Sequence, residues 1–270
     1  MQIQGKVAVV TGAGSGIGRA VALELARRGA GAVVLADRSD AVRNLAGTVE
    51  AEQATHAEAF VGDVTDAAFR SEVFERVVRR YGIPRICVPA AGITRDRLAA
   101  RIDKETGRAD LYPIDAFRQV LEVNLVAPVY WALEMVGRIA QERSARGLKK
   151  WEPEEHVQGT IVFIGSVSSQ GNKGQIAYAA TKAALQGAAA TLTKEAIYYG
   201  VRCGVVHPGF TDTPMVHALG EDFIRERILP STQLGRLIKP EEIADAVCFM
   251  ISNSAVSGEL WTDAGWHPPA

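Results

Sequence analysis

Lys6–Gly29 reads KVAVVTGAGSGIGRAVALELARRG. Its first six residues, Lys6–Thr11, are a β-branched apolar run of the kind found in a parallel strand covered on both faces. Four glycines follow at once: Gly12, Gly14, Gly16 and Gly18. From Ile17 the apolar residues take helical spacing, and the segment stops at Gly29. Strand, glycine turn and helix in that order suit a pyrophosphate. Glycine lets the backbone approach the ligand, and the helix N-terminus offers free N–H groups and a positive dipole end. The spacing is Gly-x-x-x-Gly-x-Gly, not the commoner Gly-x-Gly-x-x-Gly, and a tight turn without a ligand is the alternative reading.

The pattern repeats downstream. Strands are predicted at Ala32–Asp37, Glu58–Val64, Arg85–Gly92, Thr160–Gly165, Arg202–His207 and Leu260–Asp263. Helices are predicted at Asp40–Gln53, Ala67–Tyr81, Phe117–Glu142, from Tyr178 onward, and at Pro240–Ile251. This alternation predicts an α/β fold, a doubly wound parallel sheet of about seven strands with helices on both faces. No repeat or linker interrupts it, so residues 1–270 are read as one domain. Asp37 lies 19 residues past Gly18, where an acid binds the adenosine ribose hydroxyls and repels a 2′-phosphate. NAD is therefore expected over NADP, although the guanidinium of Arg38 could hold that phosphate. Asp63 closes the third strand and is placed to accept from an adenine amino group, with Asp66 as the better helix cap.

Composition excludes several classes. Hydrophobic residues make up 47%, charged residues 23%, and the net charge is −1. Nothing here points to nucleic acid or a membrane surface. No secretory leader or membrane-length apolar run is read, so a cytoplasmic location is expected. Cys87, Cys203 and Cys248 are odd in number and far apart, which suits buried free thiols and no metal site.

A second centre lies at Ser166–Lys182, SVSSQGNKGQIAYAATK. Tyr178 and Lys182 are four apart at the start of an alanine-rich helix, so they share a face. A free phenol titrates near 10; lowering it to about 7 needs roughly 4 kcal/mol of preference for phenolate, and a nearby cation could supply much of that. Such a tyrosine can exchange a proton with an alcohol or ketone. Thr160–Gly165 delivers Ser166 at the carboxyl end of its strand, the sheet edge that also carries the glycine turn. Asn124 lies in the long helix, and Pro128 four residues later removes its usual carbonyl partner, predicting a kink or an open carbonyl. Residues 93–115 read as irregular, 143–159 as a surface excursion anchored by Trp151, and about 212–237 as a lid.

Together these motifs resemble the short-chain dehydrogenase/reductase family over nearly the whole chain. The resemblance implies a Rossmann-type fold. It makes Gly12, Gly14, Ser15, Gly16, Ile17 and Gly18 the cofactor loop, Asp63 and Val64 the adenine contact, and Ala91 and Gly92 the end of the fourth strand. It implies that Ser166 holds the substrate oxygen, and that Tyr178 is the acid/base. Lys182 would lower the pKa of Tyr178 and bind the nicotinamide ribose, while Asn124 would hold a relay water. Pro208, Gly209, Thr211 and Thr213 look like the segment that holds the carboxamide.

Pro89-Ala90-Ala91-Gly92 stands where the family has Asn-Asn-Ala-Gly, so a side-chain tie between strands is expected to be missing. The serine-to-tyrosine interval is one residue short, which leaves Ser168 and Ser169 as alternatives to Ser166. The activity expected is hydride transfer between NAD(H) and a secondary alcohol or ketone. The alternatives are an NADPH-dependent 3-oxoacyl-thioester reductase, suggested by GNKGQIAYAATKAA, and a non-catalytic nucleotide-binding scaffold. The four retained residues argue against the scaffold.

The resemblance also implies a homodimer or homotetramer through the two long helices. Leu125, Val129, Trp131 and Met135 are expected on an outer face, unless residues 143–159 cover them. Trp266 and His267 are expected to pack across an axis.

Overall fold

β1 (Val7–Thr11) is buried along its whole length, and its side chains alternate between two cores. Ala8 and Val10 join the first, Val7 and Val9 the second. The same alternation runs through β2 (Ala32–Asp37), where Val33 and Leu35 face one side and Val34 and Ala36 the other. A strand covered on both faces is apolar throughout, and this explains the continuous runs in the sequence.

The structure is a computed structural model and describes residues 1–266. His267 lies outside the described residues. After β1 come α1 (Gly16–Arg27), β2, α2 (Ala41–Glu52), β3 (His56–Val61), α3 (Ala67–Tyr81) and β4 (Ile86–Pro89). β5 (Ala100–Ile102), β6 (Ala109–Leu111), α4 (Ile114–Leu121), a π turn (Glu122–Val126) and α5 (Ala127–Ala145) follow. The chain then forms β7 (Gly159–Ile164), α6 (Ile176–Glu195), β8 (Val201–Pro208), α7 (Pro214–His217), α8 (Glu221–Phe223), α9 (Pro240–Ser252) and β9 (Gly258–Thr262).

Seven strands form one parallel sheet in the order β3-β2-β1-β4-β7-β8-β9. The order runs outward in both directions from the β1–β4 pair, which opens a crevice at their carboxyl ends. α1, α2 and α9 cover one face through Val21, Leu25, Leu45, Val247 and Ile251. α3, α5 and α6 cover the other through Phe74, Trp131, Met135, Leu185 and Leu192. This is the expected Rossmann-type, doubly wound α/β sheet.

Three expectations change. Residues 93–115 are not wholly irregular, because β5 and β6 form an antiparallel hairpin with Ala100 opposite Leu111. Both strands are exposed on both faces, so no hydrophobic alternation marks them in the sequence. The expected kink near Asn124 is a π turn, in which the Ala127 N–H reaches back to the Glu122 carbonyl. Trp131 and Met135 are fully buried, not on an outer face, and Leu125 and Val129 pack partly against the same core. The extra residue in a π turn rotates everything after it, which moves the apolar stripe onto the sheet. The stretch Ile114–Ala145 is long and apolar enough to cross a membrane, but its Trp131, Met135 and Ile139 fill the core.

Two other expectations hold. Asp66 caps α3, accepting from the N–H groups of Ala68 at 2.8 Å and Phe69 at 3.4 Å. Trp151 anchors the 143–159 segment: its backbone N–H donates to the Tyr198 carbonyl at 2.8 Å, its indole N–H to the His156 carbonyl at 3.2 Å, and its ring covers Gly200. Trp266 packs edge-on against Phe210 of its own chain, with ring centroids 5.3 Å apart.

Trp131 is the largest fully buried side chain; its indole N–H donates to the Val64 carbonyl at 2.9 Å and its ring meets Phe69 and Phe74. We expect Trp131→Ala to lower the unfolding free energy by about 3–5 kcal/mol, measured by urea denaturation. A loss under about 0.5 kcal/mol would return Trp131 to the surface.

Candidate active site

The close approach of β1 and β4 makes the site. Gly12 has φ of +65°, and a Cβ there would lie 2.7 Å from the Cα of Ala91. At Gly18 a Cβ would meet the Gly12 carbonyl oxygen at 2.2 Å. The loop therefore folds flat against β4 and presents backbone to the crevice. Ser15, the N-cap of α1, makes no side-chain capping bond, and Ser15, Gly16, Ile17 and Gly18 all line the cavity. Uncapped first-turn N–H groups at a helix N-terminus form an anion site.

The cavity holds about 310 Å³ and continues from the glycine loop to Tyr178 and Lys182. At its far end the Asp37 carboxylate accepts from the Gly14 N–H and the Ser39 N–H, each at 2.9 Å. Gly14 thus acts by holding Asp37 and is not among the lining residues. Arg38, Asp63, Val64, Ala91 and Gly92 line the cavity. Asp63 accepts from both the N–H and the hydroxyl of Thr65, and these bonds hold its carboxyl below the usual range. The missing Asn-Asn tie is replaced: the Thr11 hydroxyl accepts from the Ala91 N–H at 3.3 Å.

Of the four residues expected to hold a carboxamide, only Thr213 reaches the cavity; it sits within van der Waals reach of Gly16. Pro208 ends β8, and the Gly209 N–H donates to the Thr262 carbonyl at 3.0 Å. Thr211 is buried and donates to the Gly209 carbonyl at 3.0 Å. These three shape the turn behind Thr213, with the Gly209 N–H taken by β9 and the Thr211 hydroxyl by the Gly209 carbonyl.

At the other end, α6 carries Tyr178 and Lys182. The Lys182 ammonium donates to the Ile164 carbonyl at 2.7 Å and lies 5.5 Å from the centre of the Tyr178 ring. The Ser166 hydroxyl lies near enough to Tyr178 to lower its pKa, and accepts from the Ser168 N–H at 3.1 Å. Of the three serines, Ser166 is the one whose side chain acts on the tyrosine. Asn124 is fully buried, and its amide closes a two-way bond with the backbone of Ile93, donating to the carbonyl and accepting from the N–H at 2.9 Å each. It lies behind Gly92, close to Lys182.

Ile164, Gln119, Val123 and Met215 also line the cavity, and the sequence reading missed them. Gln119 and Val123 are four apart in one helical stretch, so that spacing was a usable signal.

The family model for short chain dehydrogenases matches residues 6–223. The chain belongs to the short-chain dehydrogenase family. It is 36% identical over 262 residues to the 3-oxoacyl-[acyl-carrier-protein] reductase FabG of Escherichia coli K12, with 96% of each chain covered. It is 34% identical over 273 residues to an acetoacetyl-CoA reductase of Synechocystis, covering 98% of this chain and 97% of the relative. A crystal structure described as ribose-5-phosphate isomerase from Brucella melitensis 16M superposes with a TM-score of 0.79 at 29% identity, over 98% of this chain and 93% of that one.

This short-chain dehydrogenase is an oxidoreductase, and its family uses a nicotinamide cofactor. The glycine cradle, the uncapped helix end and Asp37 fit such a dinucleotide. Burial governs both titrating groups. It raises the phenol of Tyr178 to about 12, Ser166 opposes the rise, and a nearby Asp96 adds to it. Burial also brings Lys182 down to about 8, with its ammonium held on the Ile164 carbonyl.

The lysine shift has a sign that can be measured. Between about 8 and 10.5 the unfolded chain keeps a proton on Lys182 that the folded chain has lost. Stability therefore rises with pH across that window. We expect the rise to be on the order of 3 kcal/mol and to be absent in Lys182→Met, by urea titrations at pH 8 and 10.5. Equal slopes in both proteins would show that the ammonium stays charged when folded.

Proposed function

We propose that this chain reduces the ketone of a 3-oxoacyl thioester, taking NADH in preference to NADPH. The observation that carries the reading is the single cavity joining the glycine cradle and Asp37 to Tyr178 and Lys182. The substrate class is favoured by the relatives named for 3-oxoacyl-[acyl-carrier-protein] and acetoacetyl-CoA reduction. NADH is favoured by the Asp37 carboxylate, which would repel a 2′-phosphate, and by an uncharged Ser15 in the glycine loop.

The bound nicotinamide supplies the hydride. Gly12–Gly18 and the first turn of α1 hold the pyrophosphate, Asp37 the adenosine ribose, and Asp63 and Val64 the adenine. Lys182 reaches the second ribose. Ser166 donates a hydrogen bond to the ketone oxygen, where negative charge develops. Tyr178, protonated in the resting site, gives that oxygen its proton. Asn124 fixes the 93 backbone beside Lys182 and shapes the path by which a water could reach the lysine. Pro208, Gly209 and Thr211 set the turn that brings Thr213 to the carboxamide.

The 212–237 segment is the lid of this single catalytic unit, supported by Thr213, Pro214 and Met215 on the cavity wall. The three buried thiols fit a cytoplasmic setting. Tyr130, 51% exposed, and Leu133, 40% exposed, leave apolar surface on α5 that a second copy would cover in a homodimer or homotetramer. Light scattering at micromolar concentration is expected to give a dimer or tetramer mass; a monomer would remove that part of the proposal.

The decisive assay follows nicotinamide absorbance with acetoacetyl-CoA and NADH or NADPH. We expect turnover with NADH ahead of NADPH, and Asp37→Ala to narrow the gap. Tyr178→Phe should lose about 100- to 10,000-fold in kcat, with cofactor affinity kept. No oxidation with either cofactor would overturn the substrate class, and tighter NADPH binding would show that Arg38 outweighs Asp37.

A further inference from the structure

The apolar run of β8 ends on a histidine. His207 is 0% exposed and points to the α6 side of the sheet, like Val205 and Cys203. A buried imidazole has two nitrogens to satisfy, and their partners choose its tautomer. Nδ1 lies 3.3 Å from the Ser166 N–H nitrogen and 3.2 Å from the Ser166 carbonyl oxygen. Nε2 lies 3.2 Å from a carboxylate oxygen of Glu259 on β9. The ring stacks on Trp261, with centroids 4.3 Å apart and planes 13° from parallel. Residue 165 must be glycine for this approach, since a Cβ there would sit 2.4 Å from Nδ1.

The geometry points to His207 as a positioning residue: Glu259 fixes its tautomer so that Nδ1 accepts the Ser166 N–H and sets the place of the Ser166 hydroxyl. The argument is one of proton placement. A carboxylate can only accept, so a lone pair on Nε2 facing it would be repelled, and the ring proton belongs on Nε2. The approach is off the axis of an aligned hydrogen bond, so Glu259 acts through its charge. Nδ1 is then an acceptor for the Ser166 N–H at 3.3 Å, and the full charge of Glu259 has to outweigh the repulsion between that lone pair and the Ser166 carbonyl at 3.2 Å. The β7–β8 ladder ends at Gly165, whose N–H donates to Val206, so the next N–H has no strand partner. The charged groups facing the ring are Glu259 from β9 and Lys182 from α6; burial lowers the imidazole's pKa most, the Ser166 backbone and Glu259 oppose that, and Lys182 adds to it, so that the net shift is downward. Gln186 donates to Glu259 at 3.0 Å and lies two turns beyond Tyr178 on the same face of α6. One helical stripe, Tyr178, Lys182 and Gln186, thus meets Ser166, the β7 carbonyl and Glu259 in turn.

The functional weight of this inference rests on Ser166 as the hydroxyl that holds the substrate oxygen. Two measurements test it on the full chain. Histidine-selective nitrogen-15 spectra of the unliganded protein, assigned with His207→Gln among the five histidines, report the tautomer without substrate. We expect a neutral ring protonated on Nε2 at pH 7, and a move toward the other tautomer in Glu259→Gln. A ring protonated on Nδ1 in the unchanged protein would overturn the proposal, whatever the substrate proves to be. The second measurement is a kinetic cycle. Glu259→Gln, at a half-exposed position that folding tolerates, should lower kcat about five- to tenfold with cofactor KM unchanged, and should cost nothing further when Ser166 is already alanine. Losses that multiply would overturn the link through Ser166. If the unchanged protein reduces no ketone, the reading of the reaction fails, and the tautomer spectrum still decides the His207–Ser166 bond.

Discussion

A buried ammonium bonded to the last carbonyl of β7 ties helix α6 to the sheet, and the reactive end of the cavity is built around that bond. Lys182 is 5% exposed and reaches the Ile164 oxygen at 2.7 Å. Burying an ammonium is costly unless it is paired, and one carbonyl pays only part of that cost, which is why its pKa falls to about 8. The bond also sets direction. With the helix fixed at residue 182, Tyr178 one turn earlier must meet Ser166 where it leaves β7. Gly92 gives the backbone room beside the lysine, and Asn124 locks that backbone through Ile93.

The cofactor end depends on a steric constraint, not on a charge. β1 and β4 leave the sheet centre side by side, and only a glycine at 12 lets the turn lie against Ala91. The family's asparagine pair is replaced by Pro89 and Ala90, yet Thr11 reaches across to the Ala91 N–H. The Asp37 carboxylate is held twice by backbone N–H groups, so its position is fixed before any ribose arrives.

These constraints explain what could be read from the chain and what could not. Strands buried on both faces leave unbroken β-branched runs, and glycine turns are visible because no other residue fits, so the sheet and the nucleotide end were legible. Ser166, Tyr178 and Lys182 were legible because strand end and helical spacing place them independently of packing. The outward face of α5 was not. Pro128 announced a break near Asn124 but not the extra residue of a π turn, and the helix is apolar on several sides, so periodicity could not choose between Tyr130 and Trp131. The hairpin at 100–111 was invisible for the opposite reason: neither of its faces is buried, so its sequence carries no alternation. The roles assigned to Pro208, Gly209 and Thr211 came from resemblance; what packing adds is that the Gly209 N–H bonds to β9 and the Thr211 hydroxyl to the Gly209 carbonyl, which no local spacing announces.

Burial sets the resting protonation of the site. A phenol at about 12 is protonated at neutral pH almost without exception. To act as a base it must first release that proton, which at pH 7 costs roughly 7 kcal/mol at 1.36 kcal/mol per unit. To act as an acid it need only meet a stronger base, and the oxygen of a ketone gaining a hydride becomes one. Lys182 stays charged below about 8, and its bond to the Ile164 carbonyl leaves that charge 5.5 Å from the centre of the phenol ring. A catalyst lowers the barrier in both directions alike, so the resting protonation says which form of Tyr178 waits in the site, and the balance of substrate and cofactor decides which way the reaction runs.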